Sequence, residues 1–218
     1  MIDTRSNFHS SFGPGFASTS WVTDGDVVDN VLRLHSDDIA YYRADVFRGE
    51  IRMELMLPAP TEGMLRYMGL MSPATGSAMG AYFEVNGENF TARLKSGGET
   101  ISETITWDDA WTDTFVEYSI RWEAGQVRFF VNDNRVAVLA PGAGLPVVPS
   151  HALQIGLLNE DAGGAAQIVC RHVNGVGIHS YRAHADLFSS EILTEASQFL
   201  AAPSEPVSLE ESITMNVT

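Results

Sequence analysis

Residues 115–139 restrict the fold more than any other part of this sequence, because apolar and polar residues alternate through three consecutive stretches. Turn-forming residues separate the stretches, with Glu123-Ala124-Gly125 after the first and Asn132-Asp133-Asn134 after the second. Alternation with a period of two, bounded by such turns, is typical of half-buried antiparallel strands. The segment therefore predicts three neighbouring strands of a meander. In the first of them the apolar positions are Val116, Tyr118, Ile120 and Trp122.

Short strand-like segments recur along the chain between turn clusters rich in Gly, Pro and Ser, with no helical pattern between them. This arrangement predicts an all-β protein, an antiparallel β-sandwich of the jelly-roll type, rather than a parallel sheet. The large apolar side chains expected in its core are Leu55, Ile120, Trp122, Phe129 and Ile155. The other predicted strands cover residues 31–35, 39–44, 49–57, 65–72, 80–86, 89–95, 100–107, 152–158 and 166–176.

Composition narrows the partners that such a protein can have. The chain has 218 residues, a formal net charge of −15 and an isoelectric point near 4.6. Nucleic acids and anionic membranes both need clustered Lys and Arg, so we expect neither as a partner. Cys170 is the sole cysteine, which excludes an intrachain disulfide and a cysteine-based zinc site. The first twelve residues contain no apolar signal segment, so synthesis in the cytoplasm without a signal peptide is expected.

The pattern changes after residue 178, which divides the chain into a predicted sandwich, residues 1–178, and a C-terminal helix and tail, residues 179–218. A helical period predicts a short helix at about residues 189–201, and the tail from 207 to 218 is polar with isolated apolar residues. Such a tail needs a partner surface to become ordered. We therefore interpret 179–218 as an assembly arm that contacts neighbouring subunits through the apolar side of its helix, namely Ile192, Leu193, Phe199 and Leu200.

Several motifs at the sandwich strands resemble the concanavalin A-like lectin and glucanase superfamily, which includes laminin-G-like modules and laminarinase-type glycoside hydrolases. The motifs are NFHSSF at 7–12, FRGEIRME at 47–54, YSIRW at 118–122 with FVNDNRVA at 130–137, and the closing strand at 168–173. The resemblance extends over roughly residues 6–178. It implies the jelly-roll fold, and the motifs follow from strand alternation and hairpin turns rather than from a shared activity.

Retaining glucanases of this superfamily carry Glu-x-Asp-x-Glu on one strand, which places two carboxylates about 5–5.5 Å apart in a cleft. The nearest equivalent here is Glu84-Val85-Asn86-Gly87-Glu88. Asn-Gly between two alternating segments is the strongest short-range hairpin signal. We therefore expect a turn that leaves Glu84 and Glu88 on opposing strands near its tip, in solvent. No catalytic residues are predicted, and the chain is not expected to be an enzyme.

Sugar binding requires aromatic faces and polar groups, and the residues that best meet this requirement are Trp107, Trp111 and Tyr82. No cofactor and no metal ligand is predicted, although calcium is possible because several relatives bind it through loop oxygens. The donors available for that ion are Asp24, Asp26, Asp108, Asp109, Asp113, Asn132, Asp133, Glu160 and Asp161.

Two functions from different classes are compatible with these observations. The first is a non-catalytic structural or adhesion module, most simply a bacteriophage virion decoration, fibre or tail component, since cell lysis releases a virion protein without any signal. Its location would be the virion, and its partners would be copies of itself or other structural subunits, with a cell-surface glycan as a possible ligand. The alternative is a stand-alone glycan-binding protein or a degenerate glycoside hydrolase domain.

Overall fold

The computed structural model describes residues 6–11, 21–42, 49–71, 80–96, 99–123, 125–140, 153–160 and 167–178. These ranges contain β-strands, one short 3-10 helix at Asp109–Trp111 and no α-helix. No helix in the described part of the chain is long and apolar enough to cross a membrane. The strands are β1 Ser6–Ser11, β2 Trp21–Thr23, β3 Asp26–Val28, β4 Val31–Leu34, β5 Ile39–Tyr42, β6 Glu50–Met56, β7 Leu65–Met71, β8 Gly80–Asn86, β9 Asn89–Ser96, β10 Glu99–Thr104, β11 Phe115–Glu123, β12 Gln126–Val131, β13 Asn134–Leu139, β14 Gln154–Asn159 and β15 Ile168–Ile178.

The strands form two antiparallel sheets. The eight-stranded sheet has the order β13-β12-β11-β6-β15-β4-β3, and β1 also pairs with β15. The seven-stranded sheet has the order β10-β9-β8-β7-β14-β5-β2. The last two described strands therefore lie in the middle of the two sheets, β15 between β6 and β4 and β14 between β7 and β5.

The core lies between the sheets and follows the alternation that the sequence shows. Every second residue of β6 is buried, and the same is true over most of β11. Burial of a large apolar side chain contributes about 1.5–3 kcal/mol. The five residues predicted for the core are all buried: Leu55, Ile120, Trp122, Phe129 and Ile155.

The two predicted turns of the meander are present between β11 and β12 and between β12 and β13. In the second turn Asn132 and Asp133 both have positive φ values, 49° and 59°. Two consecutive residues of this kind form the type I′ turn that matches the twist of paired strands. The all-β antiparallel sandwich predicted from the sequence is thus confirmed.

The edge strand of the meander, β13, is linked to the other sheet by a hydrogen bond. The backbone N–H of Val138, in the edge strand β13, donates to Glu103 Oε2 of β10 at 3.2 Å. An edge strand presents unpaired N–H and C=O groups to which other chains can pair. The Glu103 carboxylate accepts from one of these N–H groups and so links the edge strands β10 and β13.

Candidate functional site

The seven-stranded sheet carries buried apolar side chains on both of its sides. Ala81, Phe83 and Val85 of β8 point into the core between the sheets, so the residues that alternate with them face the opposite side, here called the outer face. A separate buried cluster lies on that face and contains a methionine, a leucine and three tyrosines. Its members are Tyr41, Tyr67, Met71, Tyr82 and Leu158.

The β8–β9 hairpin turns where the Asn-Gly signal predicts it. β8 ends at Asn86, β9 begins at Asn89, and Gly87 between them has a φ of 59°. The hairpin is confirmed, but the expected solvent position of both glutamates is wrong. Glu88 is exposed in the turn, whereas Glu84 is buried, because it lies two residues inside the strand and faces the covered outer side of the sheet.

The register of this hairpin brings a carboxylate, an aromatic ring and a guanidinium together. Glu84 is paired with Thr91 on β9, and Tyr82 is paired with Arg93. Residues directly opposite each other in an antiparallel pair share a face and have neighbouring side chains. On the other side of β8, Tyr67 of β7 lies opposite Glu84. Glu84 therefore stands between a tyrosine and a threonine at the centre of the outer face.

Arg93 compensates the buried charge of Glu84. Its Nη2 lies 2.9 Å from Glu84 Oε1, and the two side chains are 31% and 4% exposed. A carboxylate so thoroughly removed from water is costly unless a charged or hydrogen-bonding partner faces it. The Arg93 Nε and the Thr91 hydroxyl, both buried, have no hydrogen-bond partner among the described residues. Two buried polar groups beside the Glu84 carboxylate therefore form no hydrogen bond with the described residues.

The pKa of Glu84 depends on its burial and on the charged and polar groups around its carboxyl. Burial raises the pKa of its carboxyl above the ordinary value, while Arg93, a hydrogen bond with Asn86 and the charge of Lys95 act in the opposite direction. Burial also raises the pKa of the Tyr82 hydroxyl, and the nearby Glu84 carboxylate adds to that effect. Burial is the largest of these effects, so the pKa of Glu84 is raised overall, as is common for acids at functional sites.

The outer face of β8 carries one carboxylate where the glucanase motif has three. The positions spaced by two along this strand are Gly80, Tyr82, Glu84 and Asn86, and only Glu84 among them is an acid. No other Asp or Glu occupies an outward position in the described strands of this sheet. A carboxylate pair of the retaining type is thus not formed by the described strands alone. The motif Glu84-Val85-Asn86-Gly87-Glu88 runs from Glu84 into the turn, whereas the outward positions that share the face of Glu84 within β8 mostly precede it.

The three predicted sugar-binding residues lie in two separate places. Trp107 and Trp111 pack edge to face at 5.6 Å, and both contact the core residue Phe90. The Trp107 Nε1–H donates to the Thr112 hydroxyl at 3.1 Å. These half-buried indoles belong to the border of the inter-sheet core, whereas Tyr82 is buried on the outer face. The structure does not bring the three residues together.

The remaining predicted sites are only partly within the described residues. The assembly residues Ile192, Leu193, Phe199 and Leu200, and the division at residue 178 with its helix and tail, lie outside them. Among the described residues, no group of three His, Cys, Asp or Glu side chains could hold a metal ion. Two of the possible calcium donors act in turns, since Asp108 Oδ1 accepts from the Ala110 N–H and Asn132 Oδ1 from the Glu117 N–H. The expectation that no cofactor is needed, with calcium as a possible ligand, is not tested by the described residues.

Replacing Arg93 by methionine is expected to lower the free energy of unfolding by about 2–3 kcal/mol at pH 7. Removing one partner of a fully buried ion pair costs about 3–5 kcal/mol, and we take a smaller value because the Arg93 side chain is 31% exposed. Without Arg93 the folded-state pKa of Glu84 rises further above the unfolded value of about 4.3. The folded state then keeps a proton that the unfolded state has lost, so stability falls as pH rises through this range.

The measurement is urea unfolding of the wild type and the variant between pH 4 and pH 8. The difference in unfolding free energy between the two proteins should be largest at neutral pH and should shrink toward pH 4 as Glu84 becomes protonated. The control is Arg128→Met, which removes a pair with Glu123 whose side chains are both partly exposed, 35% and 40%. Such pairs contribute about 0–1 kcal/mol. A cost for Arg93→Met that does not vary with pH would contradict the account of Glu84.

Comparison with known proteins identifies the fold. No family model and no curated protein matches the sequence. Solved structures match closely in shape: the endo-β-1,3-glucanase from Pyrococcus furiosus has a TM-score of 0.62 at 12% identity, over 79% of this chain and 94% of that one. The Bacillus licheniformis β-glucanase has a TM-score of 0.61 at 10% identity, over 79% and 98%. A prokaryotic β-1,3-1,4-glucanase derived from a mouse hindgut metagenome has a TM-score of 0.60 at 12% identity, over 78% and 98%.

The fold is therefore an antiparallel jelly-roll sandwich of the kind found in these β-glucanases. This result corrects the expected function. A non-catalytic structural or adhesion module of a virion, and the statement that the chain is not an enzyme, are contradicted because the matching structures are glucanases and a transglycosylase. Nothing in these matches supports a bacteriophage origin or a fibre or tail role. The alternative, a glycan-binding or glycoside hydrolase-derived domain, agrees better with them.

Proposed function

We propose that this chain is a carbohydrate-active protein that takes a β-linked polysaccharide at the β9–β10 side of the outer face of its seven-stranded sheet, where outward residues of β10 are exposed, with Glu84 as the acid bordering the site. The observation that carries the proposal is the position of Glu84. It is a buried carboxyl with a raised pKa, on the outer face of a sheet in a glucanase-like fold.

The chemistry of glycoside cleavage explains why such a carboxyl suits this function. The leaving oxygen of a glycosidic bond needs a proton, and a general acid contributes about 10²–10⁴-fold when its pKa is raised toward the working pH. Burial raises the pKa of Glu84 in this direction, and Arg93 keeps the side chain oriented through its 2.9 Å contact. Glu84 therefore fits the acid, and a cleaving site would need its second group from outside the described strands.

The fold supports the choice of ligand. The three matching structures described above are named as enzymes that act on β-1,3-glucan or mixed-linkage β-glucan or simply as a β-glucanase. At 10–12% identity these names describe those proteins alone. They nevertheless select the first ligands to try, which are a β-1,3-glucan and a mixed-linkage β-glucan.

The test combines binding with turnover. Affinity electrophoresis in gels containing each glucan measures retardation of the folded chain, and release of reducing ends measures cleavage. We expect retardation by at least one polysaccharide, and we expect Glu84→Gln to lower any cleavage rate by about 10²-fold or more while the chain stays folded.

The control for this test is Glu54→Gln. Glu54 is also a strand glutamate paired with an arginine, Arg171 at 2.8 Å, but it belongs to the eight-stranded sheet. It should leave binding and cleavage unchanged. The proposal fails if the folded wild-type chain is retarded by no polysaccharide, or if Glu84→Gln behaves like the wild type in both measurements.

A further inference from the structure

The two outward cations of β9 stand next to each other beside the proposed site. Arg93 and Lys95 are two residues apart on one strand, so both side chains lie on the outer face. They face Tyr82 and Gly80 of the neighbouring strand β8. Lys95 is the single lysine of the chain, in which 28 acidic residues exceed 13 basic ones. Two adjacent cations on one face are therefore unusual in a protein whose net charge is −15.

Hydroxyl groups continue this cationic surface onto the edge strand β10. Thr100 is paired with Lys95, Ser102 with Arg93 and Thr104 with Thr91 of β9. The three residues on β10 are exposed. The surface formed by Lys95, Arg93, Thr91, Thr100, Ser102 and Thr104 is here called the β9–β10 surface. It combines two positive charges with three exposed hydroxyls on β10 that can donate to an anion, while the Thr91 hydroxyl is buried.

The exposed carboxylates of β10, on Glu99 and Glu103, alternate with the three hydroxyl residues and therefore project from the opposite side of that strand. Glu84 is 4% exposed and is paired with Arg93. Glu103 of β10 alternates with Ser102 and Thr104, and its carboxylate accepts from the Val138 N–H at the edge of the other sheet. Lys95 forms no ion pair with another described residue. The β9–β10 surface therefore presents a net positive charge, although the chain as a whole is strongly negative.

We propose that the polysaccharide taken by the outer face is an acidic one, whose carboxylate or sulfate groups contact Lys95 and Arg93 while its hydroxyls contact Thr100, Ser102 and Thr104. This inference rests on the proposed function and specifies its ligand class. Arg presents a planar fork of N–H donors to oxyanions, and Lys adds a compact charge. A neutral glucan would leave Lys95 without an ion-pair partner among the described residues, whereas Arg93 already faces Glu84.

The repulsion between an acidic polysaccharide and a chain of net charge −15 does not prevent this binding. At an ionic strength of about 0.15 M, charges interact over a distance of about 8 Å. Acidic residues farther away are screened, and the cations in direct contact with the ligand dominate. The outer face is thus a region of this protein where a polyanion meets attraction at short range.

The experiment compares four polysaccharides in affinity gels at about 0.15 M salt: a β-1,3-glucan and a mixed-linkage glucan as neutral chains, alginate for carboxylates and a carrageenan for sulfates. The wild-type chain should bind at least one acidic polysaccharide more tightly than both neutral ones. Lys95→Gln should weaken that binding about threefold to fivefold, as expected for one partly exposed ion pair, and Lys95→Glu should weaken it more than tenfold. The alginate and carrageenan arms distinguish a carboxylate ligand from a sulfate ligand.

Arg135→Gln is the matched control, because Arg135 is an exposed cation on β13 of the other sheet. It should change none of the four affinities. Lys95 is half-buried and has no role in the core, so its variants should remain folded. Equal or tighter binding of the neutral glucans, or acidic binding that Lys95→Glu leaves unchanged, overturns the acidic ligand and leaves the proposed function standing. Absence of binding to all four polysaccharides overturns both.

Discussion

Replacing Phe83 by alanine is expected to lower the free energy of unfolding by about 3–5 kcal/mol, the range measured for buried Phe and Trp. Phe83 is fully buried in β8 and stands at the centre of an aromatic group from both sheets. Its ring stacks on Phe90 at 5.5 Å and meets Tyr118 and Phe129 edge to face at 5.5 and 5.2 Å. Deletion of the ring leaves a cavity with partners on both sheets, so neighbouring side chains cannot easily fill it.

Chemical denaturation followed by the fluorescence of the core tryptophans measures this loss. Phe83→Leu is the control, since it keeps most of the volume and should cost less than about 1.5 kcal/mol. If the two variants were equally destabilised, the cost would come from the aromatic contacts and not from the cavity. A loss below about 1 kcal/mol for Phe83→Ala would contradict the burial of this ring between the sheets.

Replacing Gly80 by alanine is expected to cost about 3–5 kcal/mol for a different reason. Gly80 has a φ of 139°, and a Cβ built there would overlap the backbone carbonyl of Leu70 and approach the Cα of Met71 at 2.9 Å. A conformation reserved for glycine costs about 1–3 kcal/mol for another residue, and overpacking adds about 1–3 kcal/mol. The obstructing atoms are backbone atoms of the paired strand β7, so strand pairing itself must shift.

The Gly87→Ala variant distinguishes the conformational penalty of a positive φ from the steric overlap with β7. Gly87 lies in the turn of the same hairpin with a φ of 59°, but nothing lies within 4 Å of a Cβ there. Only the conformational penalty of about 1 kcal/mol should appear. Thermal unfolding of both variants gives the comparison, and NMR shifts of the β7 and β8 amides would report the altered pairing. Equal effects of the two substitutions would show that the close approach of β7 at Gly80 is not maintained.

The fold could be predicted from the sequence wherever alternation and turn residues coincide. The strand at 80–86 and its Asn-Gly turn were predicted with the observed bounds, because the turn residues fix where the strand ends. The short strands β2 and β3 were not predicted. All three residues of Asp26–Val28 are exposed, so no apolar face marks this segment as a strand. Its pairing with β4 is determined by the neighbouring strand and not by its own pattern.

The site was harder to predict because it depends on the register between strands. Counting backward from Asn86 and forward from Asn89 would have placed Tyr82 beside Arg93 and Glu84 beside Thr91. The pairing with Tyr67 could not be obtained in this way, since β7 is joined to β8 by a longer segment. The burial of Glu84 also has no local signal, because the sequence does not show which side of a sheet will be covered.

The predicted function failed for a related reason. The sequence predicts a turn at Glu84-Val85-Asn86-Gly87-Glu88, and the turn is present, but a turn at this place does not exclude a buried carboxylate in the strand before it. The strand preceding the turn places Glu84 on the outer face in spite of it. A hairpin and a buried acid are compatible when the acid lies two residues before the turn, since alternation then returns its side chain to the sheet surface.

The central positions of β14 and β15 determine how this protein can be made. Synthesis proceeds from the N-terminus, and the strands up to β13 appear before either central strand exists. Until then β6 and β4 lack their shared neighbour β15, and β7 and β5 lack β14. Pairs such as Ile51 with Gly175 span most of the sandwich sequence, and such distant pairings make folding slow, on the order of milliseconds to seconds. The nascent chain therefore exposes four unpaired strand edges, those of β4, β5, β6 and β7, to chaperones and to other nascent chains, and it can complete the two described sheets only after β15 has left the ribosome.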